Sequence, residues 1–111
     1  MSNRLAIVLA SGDPKVLQMG LLYARNAIHK GWMKELVLYL FGPSEVQVVT
    51  DPRSRELLAE IVALGSTPRA CRFCSDEHHV SDALEELGCE VIYVGEPISK
   101  AIRDGFTPMV W

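Results

Sequence analysis

Five short apolar runs, at residues 4–10, 35–41, 67–71, 90–94 and 107–111, alternate with stretches in which apolar residues recur at helical spacing. That alternation leaves few folds open. Strands separated by helices of this length form βαβ units and pair in parallel. The runs ELVLYLF (35–41) and EVIYV (90–94) are apolar on both faces, as strands covered from both sides need to be. Right-handed crossovers then predict an α/β fold: a single-domain three-layer α/β/α sandwich with a mostly parallel five-stranded sheet. A chain of 111 residues has room for one domain, residues 1–111, and one core.

The helices announce themselves at their ends. Asp13-Pro14 and Asp51-Pro52 each read as an N-cap followed by proline at the first helical position. Leu17, Gly20, Leu21, Ala24, Ala27 and Ile28 share one face of a helix over 14–29, closed by Gly31. Leu57, Leu58, Ile61 and Leu64 mark a second helix closed by Gly65, and Val80, Ala83, Leu84 and Leu87 a third closed by Gly88. Ile98, Ala101 and Ile102 mark a last one between Glu96-Pro97 and Gly105. Residues 44–50 suit a helical turn or an extended piece equally. The strand at 67–71 holds a proline and an arginine, so its assignment rests on its place between two helices.

Composition removes several function classes. No apolar run reaches the ~18 residues of a transmembrane helix, which argues against a membrane partner. A net charge of −3 with no basic stripe argues against nucleic acid. The opening residues carry no basic segment and cleavage site of an export signal, and three cysteines is an odd number. A disulfide framework is therefore not expected, and the reducing cytoplasm is the expected compartment.

In an open parallel sheet, ligands bind beyond the carboxyl ends of the strands. The loops on that edge begin Ser11-Gly12-Asp13, Gly42-Pro43-Ser44, Cys71 onward and Gly95-Glu96. Ser11, Gly12, Gly42 and Pro43 are thus candidate substrate-binding positions, although both glycines are also ordinary turn residues. Cys71 ends a strand and precedes a helix, where free N–H groups and partial positive charge favour a thiolate. The competing reading is a small buried residue at a strand end. Cys74 lies one helical turn on, so the C-x-x-C spacing lets the sulfurs approach as in a dithiol redox site. Arg72, between them, either holds an anionic sulfur or substrate or is a solvated charge. With His78 and His79 the cysteines form C-x-x-C-x-x-x-H-H, which is tighter than structural zinc spacings, so no metal or other cofactor is expected. Cys89 enters a strand at its opposite end and reads as core. No nucleotide-binding fingerprint is present.

Ala70-Cys71, Cys74, Val80-Ser81, Leu84, Leu87-Gly88, the 91–94 strand, Gly95-Glu96-Pro97 and an aromatic last strand, read together, resemble the DsrE/DsrF-like family, whose fold YchN-like proteins share. The front half agrees, with a second strand ending in Phe41-Gly42-Pro43 and a helix closed by Gly65. The resemblance implies homo-oligomers, trimers or hexamers, and a sulfur-relay role. Cys71 would carry a persulfide between donor and acceptor proteins, in a sulfurtransferase-like reaction needing no cofactor. The sequence departs from the relay pattern in having Cys74 as well, and in having His79 where relatives often have glycine. Tyr39, Phe41, Phe73, Phe106 and Trp111 sit where not all can reach one core, which fits an interface.

Overall fold

The computed structural model describes residues 3–111. Five strands, β1 (Arg4–Leu9), β2 (Glu35–Leu40), β3 (Arg69–Cys71), β4 (Glu90–Ile92) and β5 (Thr107–Val110), form one sheet in the order β4-β3-β2-β1-β5. Every pairing is parallel. Six helices connect them: α1 (Pro14–Lys30), α2 (Ser44–Thr50), α3 (Pro52–Ala63), α4 (Arg72–Glu77), α5 (Ser81–Glu86) and α6 (Gly95–Arg103). The expected α/β/α sandwich is what forms, with the sheet parallel throughout.

The two faces of the sheet are covered unequally. Leu5, Ile7 and Leu9 of β1 and Leu38 and Leu40 of β2 point to one side, where they meet Leu17 and Leu21 of α1, Leu57, Leu58 and Ile61 of α3, and Leu84 of α5. Burying each such leucine is worth about 1.5–3 kcal/mol, so this face holds the main core. The alternate residues Ala6, Val8, Val37 and Tyr39 point the other way and meet α6 through Ile98 and Ala101. One helix cannot span five strands. The β3–β4 half of that face stays open as a groove of about 380 Å³ lined by Val37, Tyr39, Arg69, Ile92 and Phe106 among others.

Local chemistry sets the helix ends where the sequence placed them. The Asp13 carboxylate accepts from Lys15 N–H at 2.8 Å, and Asp51 from Ser54 N–H at 3.0 Å. Ser54 Oγ and Gln18 Nε2 also donate to Asp51 and hold its carboxyl below the usual range. The ambiguous stretch 44–50 is helical, and its buried face is Ser44, Glu45 and Val48. The corner between α4 and α5 is a Schellman motif: Val80 N–H reaches Ser75 O at 2.9 Å and His79 N–H reaches Asp76 O at 3.2 Å. His79 occupies the left-handed position, φ 58°, where glycine is usual, so the helix break survives the histidine.

The five aromatics named above part company. Tyr39 is buried, and Trp111 packs into the main core beside Tyr23. Phe106 is half-covered and lies under the Arg4 guanidinium. Phe41 and Phe73 are exposed, and Tyr93 joins them.

Candidate functional site

The order of the strands reverses at β1, between β2 and β5, which in a sheet of this kind is where a crevice opens. Here the backbone closes it. The Trp111 carbonyl accepts from Ala10 N–H at 2.7 Å and Ser11 N–H at 3.1 Å. Ser11 Oγ in turn accepts from Asp13 N–H at 3.0 Å. The Ala10, Ser11 and Asp13 N–H groups are therefore engaged within the fold, and the open groove lies along β2, β3 and β4.

Cys71 ends β3 and its Cα pairs with Ile92 of β4. Its side chain points to the α6 side and packs in the cluster of Tyr39, Val94 and Ala101, with Cys74 and Ile92 against it. Tyr39 and Ile92 also line the open groove, so one end of the groove abuts Cys71. Cys71 is only 6% exposed, whereas Cys74 is half-buried, and both thiols are free. The sulfurs are close enough that the Cys71 thiol acts on Cys74 as hydrogen-bond partner and as charge. Burial pushes the Cys74 thiol up, and the Gly42 backbone N–H, which faces it, pulls the other way. Cys74 therefore rests as a thiol. Cys89 is buried in the main core and its thiol is pushed up to about 12, first by burial. It is a packing residue.

The remaining residues of the edge divide by what they touch. Gly42 adopts φ 66°, a conformation that suits glycine, and its N–H faces Cys74. Gly12 lies against Pro43 so closely that a Cβ would meet the Pro43 Cβ at 2.8 Å. The first two loops thus lock together and carry the Gly42 N–H to the thiol pair. Arg72 is engaged in the fold. It donates to the Val91 carbonyl at 2.9 Å and reaches Glu85 at 3.6 Å and Asp76 at 3.9 Å. His78 and His79 are exposed, and among the described residues no three His, Cys, Asp or Glu side chains converge as a metal shell.

Glu45 is the residue the sequence reading did not find. It is fully buried at the start of α2, and neither carboxylate oxygen has a hydrogen-bond partner. Burial pushes its carboxyl up to about 8, and the approach of the Cys71 N–H, short of a well-formed bond, offsets only part of this. Its charge is felt at both Cys74 and Cys89. The signal was an acid on the apolar face of 44–50, visible once that stretch is read as a helix, because positions 45 and 48 then share a side.

Fold and site together define a small parallel α/β protein with a shielded thiol pair and a buried acid at the carboxyl edge of its sheet. Among known proteins, no family model and no curated protein matches the chain. A solved structure is similar over nearly its whole length. It is the conserved protein of unknown function BT1422 from Bacteroides thetaiotaomicron, 26% identical, with a TM-score of 0.89 over 98% of this chain and 95% of that one. Among the described residues no helix is long and apolar enough to cross a membrane.

Proposed function

We propose that this chain is a sulfur-relay protein of the DsrE/DsrF-like kind, which carries sulfane sulfur as a persulfide on Cys71. The observation that carries the reading is the thiol pair: two free thiols side by side beyond an interior strand, one nearly shielded and one half-open. A persulfide is lost to thiols in solution that reach it, so a sulfur shielded from solvent with one approach suits a carrier. The Cys71 thiolate attacks the outer sulfur of a donor persulfide. A new S–S bond forms on Cys71, the donor's S–S bond breaks, and the donor leaves as a thiolate. The reverse step hands the sulfur to an acceptor. The chemistry requires no cofactor.

Donor and acceptor proteins must approach the edge where Phe41, Phe73 and Tyr93, which follow the ends of β2, β3 and β4, are exposed. Aromatics set around a reactive centre are a suitable surface for protein partners, including further copies of this chain. The assembly we propose is a trimer or hexamer acting in the cytoplasm. Light scattering at micromolar concentration reads the assembly, and a monomer mass rejects it.

Mass spectrometry after incubation with a persulfide donor tests the carrier role. An adduct of about 32 Da per sulfur is expected on Cys71 and is absent in Cys71→Ser. Wild-type protein that takes up no sulfur ends the reading. The contact between the two thiols favours a second reading, in which Cys74 resolves Cys71 as a dithiol redox pair. Cys74→Ser separates them: a carrier still loads sulfur, whereas a redox pair loses its intramolecular disulfide and its activity.

A further inference from the structure

A thiol that rests protonated in an apolar pocket cannot attack until something takes its proton. Beyond the thiols, the titratable groups beside that pocket are Tyr39, whose hydroxyl donates to the Pro97 carbonyl at 3.4 Å, and Glu45. Glu45 is fully buried, both oxygens lack a partner, and it sits where α2 packs on α4, beside the Cys71 backbone N–H. The other elements around α2 turn apolar side chains into the same region: Leu17 and Leu21 from α1, Leu57 and Leu58 from α3, Leu84 from α5. The titratable groups that sense the Glu45 charge are Cys74 and Cys89, and Cys89 is locked in the core. An unpaired buried carboxylate is costly to keep, and no ion pair or structural hydrogen bond rewards it here.

We propose that Glu45 is the proton acceptor and donor for the Cys71–Cys74 pair. This deepens the carrier reading, on which its biological role rests, but its chemistry is that of any displacement at these thiols. Neither thiol is hydrogen-bonded to Glu45 at rest, so the carboxylate takes the proton of the attacking thiol through one bridging water, giving thiolate and carboxylic acid. The thiolate attacks a sulfur of the incoming S–S bond; the new S–S bond forms as the old one breaks, and the carboxylic acid returns the proton to the departing sulfur. Protons and charge balance, and with a persulfide donor no net oxidation occurs. The upward displacement of this carboxyl to about 8 suits the task, because both protonation forms then exist near neutral pH.

The test uses bis(2-hydroxyethyl) disulfide, whose leaving thiolate is basic and needs a proton. Wild type, Glu45→Gln and Glu45→Asp are compared as whole chains from about pH 6 to about pH 9, with mixed disulfide at Cys71 and Cys74 read by mass spectrometry and folding checked by circular dichroism. Glutamine keeps the shape but holds no proton. The expected result is a rate at least about tenfold lower in Glu45→Gln at neutral pH, loss of the limb near pH 8, and partial recovery in Glu45→Asp. If Glu45→Gln reacts as fast as wild type or faster, with its limb moved to lower pH, Glu45 is only a charge that suppresses the thiolate, and the proposal is overturned. If the pH profiles come out as expected but wild type takes up no sulfur from a persulfide donor, the carrier reading fails and the role of Glu45 stands.

Discussion

Glu45→Gln should also make the protein more stable, by an amount that grows with pH. An ordinary glutamate titrates at 4.5, and the folded chain holds Glu45 up to about 8. Below the lower value both states keep the proton, and the carboxyl costs the fold nothing by ionisation. Above it the unfolded chain releases a proton that the folded chain retains, so stability falls as pH rises until the folded group ionises too. The gap is roughly 3.5 pH units, each worth about 1.4 kcal/mol, so the full penalty above the upper value is about 5 kcal/mol. At neutral pH most of that interval has been crossed, and the penalty is about 3 kcal/mol. Glutamine never ionises. The stability of Glu45→Gln minus that of wild type should therefore widen by about 3 kcal/mol between acid and neutral pH, a large part of the 5–15 kcal/mol typical of a domain. Urea unfolding followed by far-ultraviolet circular dichroism at matched pH measures this. A difference that stays flat across the range would refute the reasoning, since it would mean that the folded carboxyl titrates like a solvated one.

Three further substitutions probe the frame around the site. His79→Gly relieves a left-handed histidine at the α4–α5 corner and should raise stability by about 0.5–1 kcal/mol, read by the same unfolding curves. Gly20→Ala places a Cβ 2.6 Å from Leu9 Cδ2 and 2.8 Å from Trp111 Cγ, so overpacking should cost about 1–3 kcal/mol and lower the thermal midpoint. Arg72→Ala removes a charged donor from the Val91 carbonyl and should cost about 1–2 kcal/mol. Its thiol alkylation rates should stay unchanged, and a large change would favour the anion-holding alternative for Arg72 over a purely structural one.

The sequence made the strand–helix alternation legible because its punctuation is local. Asp13-Pro14 and Asp51-Pro52 cap the helices they were expected to cap. That Cys71 and Cys74 lie together at the end of β3 was legible because C-x-x-C is a local pattern. Glu45 escaped for the opposite reason. Its meaning depends on burial, and burial depends on whether 44–50 turns as a helix, which seven residues with mixed propensities do not decide. The engagement of the Ala10 and Ser11 N–H groups was equally hidden, because their acceptor, Trp111, is about a hundred residues away in sequence. The role of Arg72 turned on contacts from β4 and α5 that no spacing within C-x-x-C reveals.

The unequal covering of the sheet sets a gradient of local opening across it. β1 is a six-residue strand paired on both sides beneath the main core, whereas β4 is a three-residue edge strand beside the open groove. Short edge pairing with solvent on one side opens before a central ladder does. Amide hydrogens of β4 should therefore exchange long before those of β1, and β3, which carries Cys71, lies between the two regimes. The sulfur pair is anchored through β2 to the slowest part of the molecule, while the wall it shares with Ile92 belongs to the fastest. Brief fraying of that wall would uncover Cys71 without disturbing the core that holds it.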